Sequence, residues 1–151
     1  MPTLSGGLTA YLPALGRTPQ DPVVTDLQAT HDGPVKVRKF SGPPALYMNY
    51  TAAGVGFLFK HRLLASVTFS TGRNAAGFDV HDPDQPLVDG LRVAPSRDEV
   101  RALLGPPFRH DGEDFDVYEI DGSFVQFSYD AEMRATRIAA TPDLPHWAGP
   151  A

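Results

Sequence analysis

The densest set of side chains able to do chemistry is a group of seven carboxylates in the second half of the chain. They fall in two short segments: Asp79, Asp82 and Asp84, and then Asp111, Glu113, Asp114 and Asp116. Carboxylates can hold a divalent cation or attract a basic partner, and complementary charge speeds the association of two proteins. We predict that these acids steer a basic partner protein toward the second half of the chain.

Metal binding is the rival chemistry for the same segments. Residues 81–84 combine an imidazole with two carboxylates, which is a ligand set for a divalent cation. Residues 111–116 lack the full spacing of a calcium loop and its terminal glutamate. Exposed loops without a metal carry the same residue types at the same spacing. We therefore predict no metal site and no cofactor.

The sequence carries no catalytic constellation. Gly-x-Ser-x-Gly, phosphate-binding, Gly-x-Gly-x-x-Gly and His-Glu-x-x-His motifs are all missing, and so are cysteines. The five histidines are spread over predicted turns, loops and the tail: His31, His61, His81, His110 and His146. Catalysis needs a nucleophile or an acid–base pair held in a pocket. We predict that the protein is not an enzyme.

Tyrosines are the candidate anchors of a protein interface, because tyrosine is enriched among the residues that dominate binding energy. Tyr47, Tyr50 and Tyr129 lie in predicted strands, and each is a candidate if its ring faces outward. The remaining strand aromatics are predicted to fill the core: Phe57, Phe59, Phe69, Tyr118, Phe124 and Phe127.

A basic strand in the first half is the one candidate for nucleic-acid binding. Lys36, Arg38 and Lys39 precede Phe40, and cations interleaved with aromatic rings can follow a phosphate backbone. The chain is acidic overall, whereas a phosphate-binding domain is usually basic. We do not expect nucleic-acid binding, and we interpret the strand as an edge that its charges protect from aggregation.

Charge is distributed unevenly along the 151 residues, whose net charge is −5. Residues 1–75 contain seven basic and three acidic side chains, and residues 76–151 contain six and fifteen. Such asymmetry suits an oriented encounter with a charged partner. No apolar run is long enough to cross a membrane, and the first residues do not resemble a signal peptide. We therefore expect a cytoplasmic protein with no membrane partner.

Local signals predict two helices and two groups of strands. Asp21 and Pro22 begin the first helix, while Ser96 and Glu99 form a capping box at the start of the second. Short turns separate the strands predicted at 35–38, 46–50, 55–60 and 63–70, and those at 116–120, 124–129 and 133–140. The turn at 121–122 is Asp-Gly, a strong hairpin signal.

The two halves match in order, which predicts an internal duplication. Val24 and Leu27 correspond to Val100 and Leu103, and the strands that follow correspond in turn. The predicted organisation is an N-terminal segment (1–16), a first α+β repeat (17–75), a connecting loop (76–93), a second α+β repeat (94–140) and an irregular tail (141–151). The fold class is α+β: two α-β-β-β(-β) repeats with an antiparallel sheet and both helices on one face.

These motifs also carry a resemblance. The stretch 96–107, followed by the Tyr118 and Phe127 strands, is similar to the helix–strand repeat of β-lactamase-inhibitory proteins and of small outer-membrane-assembly lipoproteins. The order of Leu15-Gly16, residues 21–24, residues 54–59 and residues 104–107 resembles uncharacterised bacterial proteins of the immunity type. Both exported families contain cysteines, and this chain has none. The resemblance implies a fold and an inhibitory or immunity role.

The sequence thus predicts a non-enzymatic protein-binding module, an inhibitor or immunity-type protein for a basic partner. The alternative is a small-molecule-binding protein or enzyme with a pocket between the two repeats, which a cavity lined by convergent polar groups would favour. A homodimer is a third hypothesis, because the two halves carry opposite charge.

Overall fold

The fold is taken from a computed structural model, which describes residues 6–31, 35–41, 44–50, 53–71, 87–91, 94–111 and 115–142, without the side chains of residues 110 and 111. Two 3-10 turns, Gly7–Ala10 and Leu12–Ala14, precede helix α1 at Pro22–Ala29, and helix α2 spans Arg97–Leu104. The strands are β1 Lys36–Ser41, β2 Pro44–Tyr50, β3 Val55–Lys60, β4 Leu63–Ser70, β5 Arg109–Asp111, β6 Phe115–Ile120, β7 Ser123–Tyr129 and β8 Ala135–Thr141.

All of these strands belong to one antiparallel sheet. Their order is β1-β2-β3-β4-β8-β7-β6-β5, so each group of four strands is a meander and the two groups meet where β4 pairs with β8. The predicted α+β class with an antiparallel sheet is confirmed. The internal duplication and the domain boundaries stay predictions.

Side-chain caps define where both helices begin. The Asp21 carboxylate accepts a hydrogen bond from the Val23 N–H at 2.9 Å, and Pro22 follows as the first helical residue. At α2, the Ser96 hydroxyl accepts from the Glu99 N–H at 3.2 Å while Glu99 accepts from the Ser96 N–H at 3.4 Å. These contacts confirm both predicted N-termini.

Both helices lie on the same face of the sheet. Val24 of α1 and Val100 of α2 belong to one buried core with the alternating residues of the strands, among them Phe57, Phe69 and Phe127. Gln28 of α1 contacts Met48, and Arg97 of α2 contacts Asp116. Strand register places Met48 and Asp116 on that common face. The opposite face of the sheet carries neither helix.

The N-terminal segment closes one end of this core. Leu8, Leu12 and Ala14 are buried, and the Leu8 N–H donates to the Leu87 carbonyl at 2.9 Å. Further along, the Gly16 N–H donates to Leu64 O and the Leu64 N–H donates to Arg17 O, each at 2.8 Å. The segment is therefore tied both to β4 and to the chain that precedes α2.

The structure departs from simple periodicity and from the predicted elements at three places. In β4, a bulge between Leu58 and Phe59 pairs Leu64 with Phe59, so Leu64 and not Ala65 is buried with Val67 and Phe69. In α2, Leu103, the predicted counterpart of Leu27, is 47% exposed. Residues 109–111 form a short strand that was not predicted, because three residues are too few to show an alternating pattern.

Phe124 is the one corrected core aromatic. Register pairs it with Glu119 and Thr141 on the face away from the helices, where it is half-buried. Its ring lies 5.7 Å from that of Phe108, which is itself exposed. Phe124 thus packs on the outer side of the sheet, outside the main core.

Candidate functional site

Of the seven predicted acids, Asp116 is the one whose side chain the structure describes. Asp79, Asp82, Asp84, Glu113 and Asp114 lie outside the described residues. Asp111 ends β5, and its side chain also lies outside them. Asp116 is fully described, and it is completely buried on the core face of β6. Asp116 is therefore unavailable to a partner, which corrects its assignment to a docking surface.

Two arginines from α2 neutralise Asp116. Arg97 donates from Nε and Nη2 at 3.2 and 2.8 Å, and Arg101 donates from Nε and Nη2 at 3.0 and 2.7 Å. The Tyr129 hydroxyl adds a fifth hydrogen bond at 3.1 Å. Paired guanidinium–carboxylate contacts of this kind are short and directional. The cluster fixes α2 against β6 and β7, so its role is structural.

Ionisation of this cluster is strongly biased by its surroundings. Burial alone would raise the pKa of Asp116, but the hydrogen bonds and charges of Arg101 and Arg97 outweigh burial and hold the pKa below the usual 3.8. Burial and the Asp116 charge together raise the pKa of Tyr118 to about 12. Burial, followed by the same charge, also raises the pKa of Tyr129. Asp116 is thus ionised and both tyrosines are neutral near pH 7.

The three candidate anchor tyrosines have different positions. Tyr50 and Tyr129 are buried on the core face, where Tyr50 packs against Phe57 and Tyr129 hydrogen-bonds Asp116. Neither faces outward, so neither meets the condition set for an interface anchor. Tyr47 lies on the opposite face and is half-buried, with its ring 5.7 Å from that of Phe40. Tyr47 alone remains a candidate.

Tyr47 lines an open groove on the sheet face that carries no helix. The groove has a volume of about 630 Å³, within the usual range of ligand sites, and it crosses the sheet from β1 to β7. The floor of the groove consists of Gly56 on β3 and of Ser66, Thr68 and Ser70 on β4. These residues are small, which leaves the space above them open. The residues lining it are Arg38, Phe40, Tyr47, Asn49, Gly56, Phe57, Leu58, Ser66, Thr68, Ser70, Ser128, Thr136 and Arg137.

The described residues that line the groove carry charge of one sign. Arg38 on β1 and Arg137 on β8 stand at its two sides, both exposed, and no carboxylate is among these described residues. Within the described part of the chain neither guanidinium takes part in an ion pair. Arg38 lies 5.5 Å from the centre of the Phe40 ring, a cation–π contact that keeps it at the groove wall.

This arrangement suits binding of an anionic group. Two guanidinium groups can each form a bidentate contact with a carboxylate, while the hydroxyls and Asn49 offer further hydrogen bonds. Aromatic rings at one wall add apolar contact area. The described lining residues include no carboxylate, histidine or lysine, and the Tyr47 hydroxyl is the one group among them of a general acid–base type.

The groove was not predicted from the sequence, for an identifiable reason. Arg38 was interpreted as one of three cations protecting an edge strand, and neither Arg137 nor the alternating hydroxyls of β4 was singled out. The alternation Ser66-x-Thr68-x-Ser70 was a usable signal, because it marks a strand with one polar face. The pairing of β4 with β8, which brings Ser70 beside Arg137, could not be predicted from the sequence.

The histidines do not form a site in the described residues. His31 lies between Tyr11 and Tyr50, with its Nε2 atom 2.9 Å from the Tyr11 hydroxyl. His61 occupies the β3–β4 turn with φ 51°. His81, His146 and the side chain of His110 lie outside the description. Across the described ranges no three His, Asp or Glu side chains are grouped as metal ligands.

No family model and no curated protein matches this sequence. Among solved structures, the chain is similar to the crystal structure of a DUF4309 family protein, YjgB, from Bacillus subtilis subsp. subtilis str. 168. The two share 12% identity over 89% of this chain and 91% of that chain, with a TM-score of 0.45. A likeness this distant carries no argument about function. The resemblance to β-lactamase-inhibitory and immunity proteins stays a prediction.

No helix in the described ranges is long and apolar enough to span a membrane, since α1 and α2 have eight residues each.

Proposed function

We propose that this protein is a non-enzymatic binding module whose groove holds an acidic segment of a partner protein. The observation that carries the proposal is the pair of exposed arginines, Arg38 and Arg137, facing one groove whose described lining residues include no carboxylate. Complementary charge would steer an acidic segment to this face, and the hydroxyl floor would accept its polar backbone. An inhibitor or immunity-type role belongs to the same proposal.

A protein-binding module was also predicted from the sequence, but the partner proposed here is acidic, whereas the predicted partner was basic. A basic partner was expected from the seven acids, of which only Asp116 has a described side chain. That side chain is buried and already paired with two arginines. Among the described residues, the groove is the surface that we assign to the partner, because its two charged lining residues, Arg38 and Arg137, are both positive.

Binding of a labelled oligoglutamate peptide, measured by fluorescence anisotropy at several salt concentrations, tests this proposal. We expect the double variant Arg38→Gln/Arg137→Gln to bind about thirtyfold more weakly, because each of the two charge-assisted contacts contributes roughly 1 kcal/mol. The loss should shrink at high salt, where exposed charges are screened.

The matched control is Lys60→Gln/Arg62→Gln, which removes the same charge from the exposed β3–β4 hairpin outside the groove. This control should bind the peptide as the parent protein does. Equal losses for both double variants would show attraction to net charge alone and would overturn the groove as the site. Absence of binding by the parent protein at low salt would overturn it as well.

A small anionic ligand is the second candidate occupant. The volume of about 630 Å³ is sufficient for one, and the groove straddles the β4–β8 junction between the two predicted repeats. Competition separates the two occupants. A small dicarboxylate that displaces the peptide at concentrations well below the peptide's own Kd would favour small-molecule binding.

A further inference from the structure

Strand β1 leaves one side of its backbone unpaired among the described residues. It is the last strand of the sheet on that side, it pairs only with β2, and each of its six residues is exposed. In an antiparallel pair, alternate residues direct their N–H and C=O groups away from the neighbouring strand. The edge of β1 therefore presents a row of backbone donors and acceptors.

The same edge exposes apolar side chains on both faces of the sheet. Val35, Val37 and Phe40 are 38%, 49% and 46% exposed, and they are half of the large exposed hydrophobics in the described chain. Register places Val37 on the helix side, opposite Met48, and places Phe40 on the groove side, opposite Ala45. A strand that is well protected from pairing would not carry apolar contact area in this way.

The charge of β1 determines which kind of strand can pair favourably with its edge. Lys36, Arg38 and Lys39 are its charged residues, so the strand has three cations and no acid. Opposite charges placed across a strand pair are stabilising, and like charges are destabilising. Pairing of β1 with β1 of a second copy would bring the two sets of cations together. An acidic strand would neutralise them.

The geometry points to strand addition at β1: an extended acidic segment of a partner protein, with acids alternating with β-branched residues, extends the sheet by one strand. Backbone hydrogen bonds would provide affinity, and the cations together with Val37 and Phe40 would provide specificity. This docking site goes beyond the groove. It uses the edge of the sheet and shares only Arg38 and Phe40 with the groove wall.

The experiment compares two synthetic peptides in which glutamate alternates with valine and threonine. The second peptide differs by N-methyl groups on alternate residues, which remove the N–H donors of one edge and keep the charge. Binding to the full chain is followed by NMR, through amide shifts and amide hydrogen exchange of residues 36–41. We expect the first peptide to bind and to slow exchange in β1, and the N-methylated peptide to bind more than tenfold more weakly.

Two protein variants locate the contact. Lys36→Gln/Lys39→Gln removes edge cations outside the groove lining and should weaken binding roughly three- to tenfold, as expected for two cross-strand charge pairs. Lys60→Gln/Arg62→Gln, with the same charge change, should leave binding unaltered. Arg137→Gln should also leave it unaltered, because Arg137 lies on β8 in the middle of the sheet.

Three outcomes would overturn strand addition. The first is equal affinity for both peptides, the second is amide protection confined to residues other than 36–41, and the third is self-association through β1 with no peptide binding. Failure of strand addition can be distinguished from failure of the proposed function. Loss caused by Arg137→Gln but not by the edge lysine variant would support the groove and reject the edge, and the reverse would do the opposite.

Discussion

The guanidinium of Arg97 and the carboxylate of Asp116 form a two-point ion pair that joins the first turn of α2 to β6, with contacts of 3.2 and 2.8 Å. Arg97 is also stacked 5.3 Å from the centre of the Tyr129 ring. A fully buried carboxylate is tolerated here because each of its oxygens accepts at least two hydrogen bonds.

Removing the charge of Asp116 should be the most damaging single change in the second half. Asp116→Asn leaves two guanidinium groups without their counterion, one of them buried, and we expect a loss of about 3–5 kcal/mol in the free energy of unfolding. Urea unfolding followed by circular dichroism measures it. The control is Asp21→Asn, which keeps a good helix cap and should cost a few tenths of a kcal/mol. A loss below about 1 kcal/mol for Asp116→Asn would contradict the role assigned to the cluster.

Acid should weaken the fold through the same carboxylate. Because the pKa of Asp116 is below 3.8 in the folded protein, its stabilising contribution is present above the pKa of the unfolded chain and is lost as pH falls through the folded-state pKa. We expect the free energy of unfolding to decline steadily as the pH drops below about 4. Thermal unfolding across this range should show a shallower decline for Asp116→Asn. Parallel declines for the two proteins would assign acid sensitivity to other groups.

Alkali should act through the buried tyrosines. The pKa of Tyr118 is raised to about 12 and that of Tyr129 is raised as well, so the unfolded chain ionises first. Stability from these hydroxyls is complete below pH 10 and is lost as pH rises toward the folded-state pKa values. Tyrosinate absorbance should show these two residues titrating only as the protein unfolds. Tyr129→Phe should lower stability by about 1 kcal/mol at pH 7 and reduce its decline above pH 10.

Filling the groove floor should block the ligand without changing charge. Gly56 lies between Asn49 and Thr68 in the register and lines the groove. Gly56→Val places a β-branched side chain in a strand interior, where glycine is unfavourable. We expect peptide affinity to fall at least tenfold while thermal stability stays equal or rises. Retained affinity with normal stability would move the binding site away from the groove.

The elements that could be predicted from the sequence are those specified by neighbouring residues. Ser96 and Glu99 define the start of α2 because both halves of a capping box lie within four residues. The turn at Asp121 and Gly122 could be predicted because Asp-Gly tolerates the positive φ angles that a two-residue hairpin turn requires. In the structure these φ angles are 52° and 81°. Such signals need no knowledge of distant strands.

The candidate site depends on contacts that no local signal specifies. In the sequence, Asp116 is one more acid in an acidic segment. Its burial could be predicted only by knowing that Arg97 and Arg101 on α2 face β6. Arg38 and Arg137 belong to opposite halves of the chain and share a groove because β8 returns to pair with β4. The bulge between Leu58 and Phe59 likewise arises from pairing between β3 and β4, whereas periodicity alone would place Ala65 and not Leu64 on the core face.

The central position of β8 has a consequence for the order in which the protein can fold during synthesis. Of the described strands, β8 is the last to leave the ribosome, yet it lies between β4 and β7 in the middle of the sheet. Until residues 135–141 have emerged, β4 and β7 are both exposed edges able to pair with other chains. A nascent or prematurely terminated chain that lacks β8 would therefore contain two half-sheets, each with an unpaired edge. Such a chain would depend on chaperones until β8 joins β4 to β7.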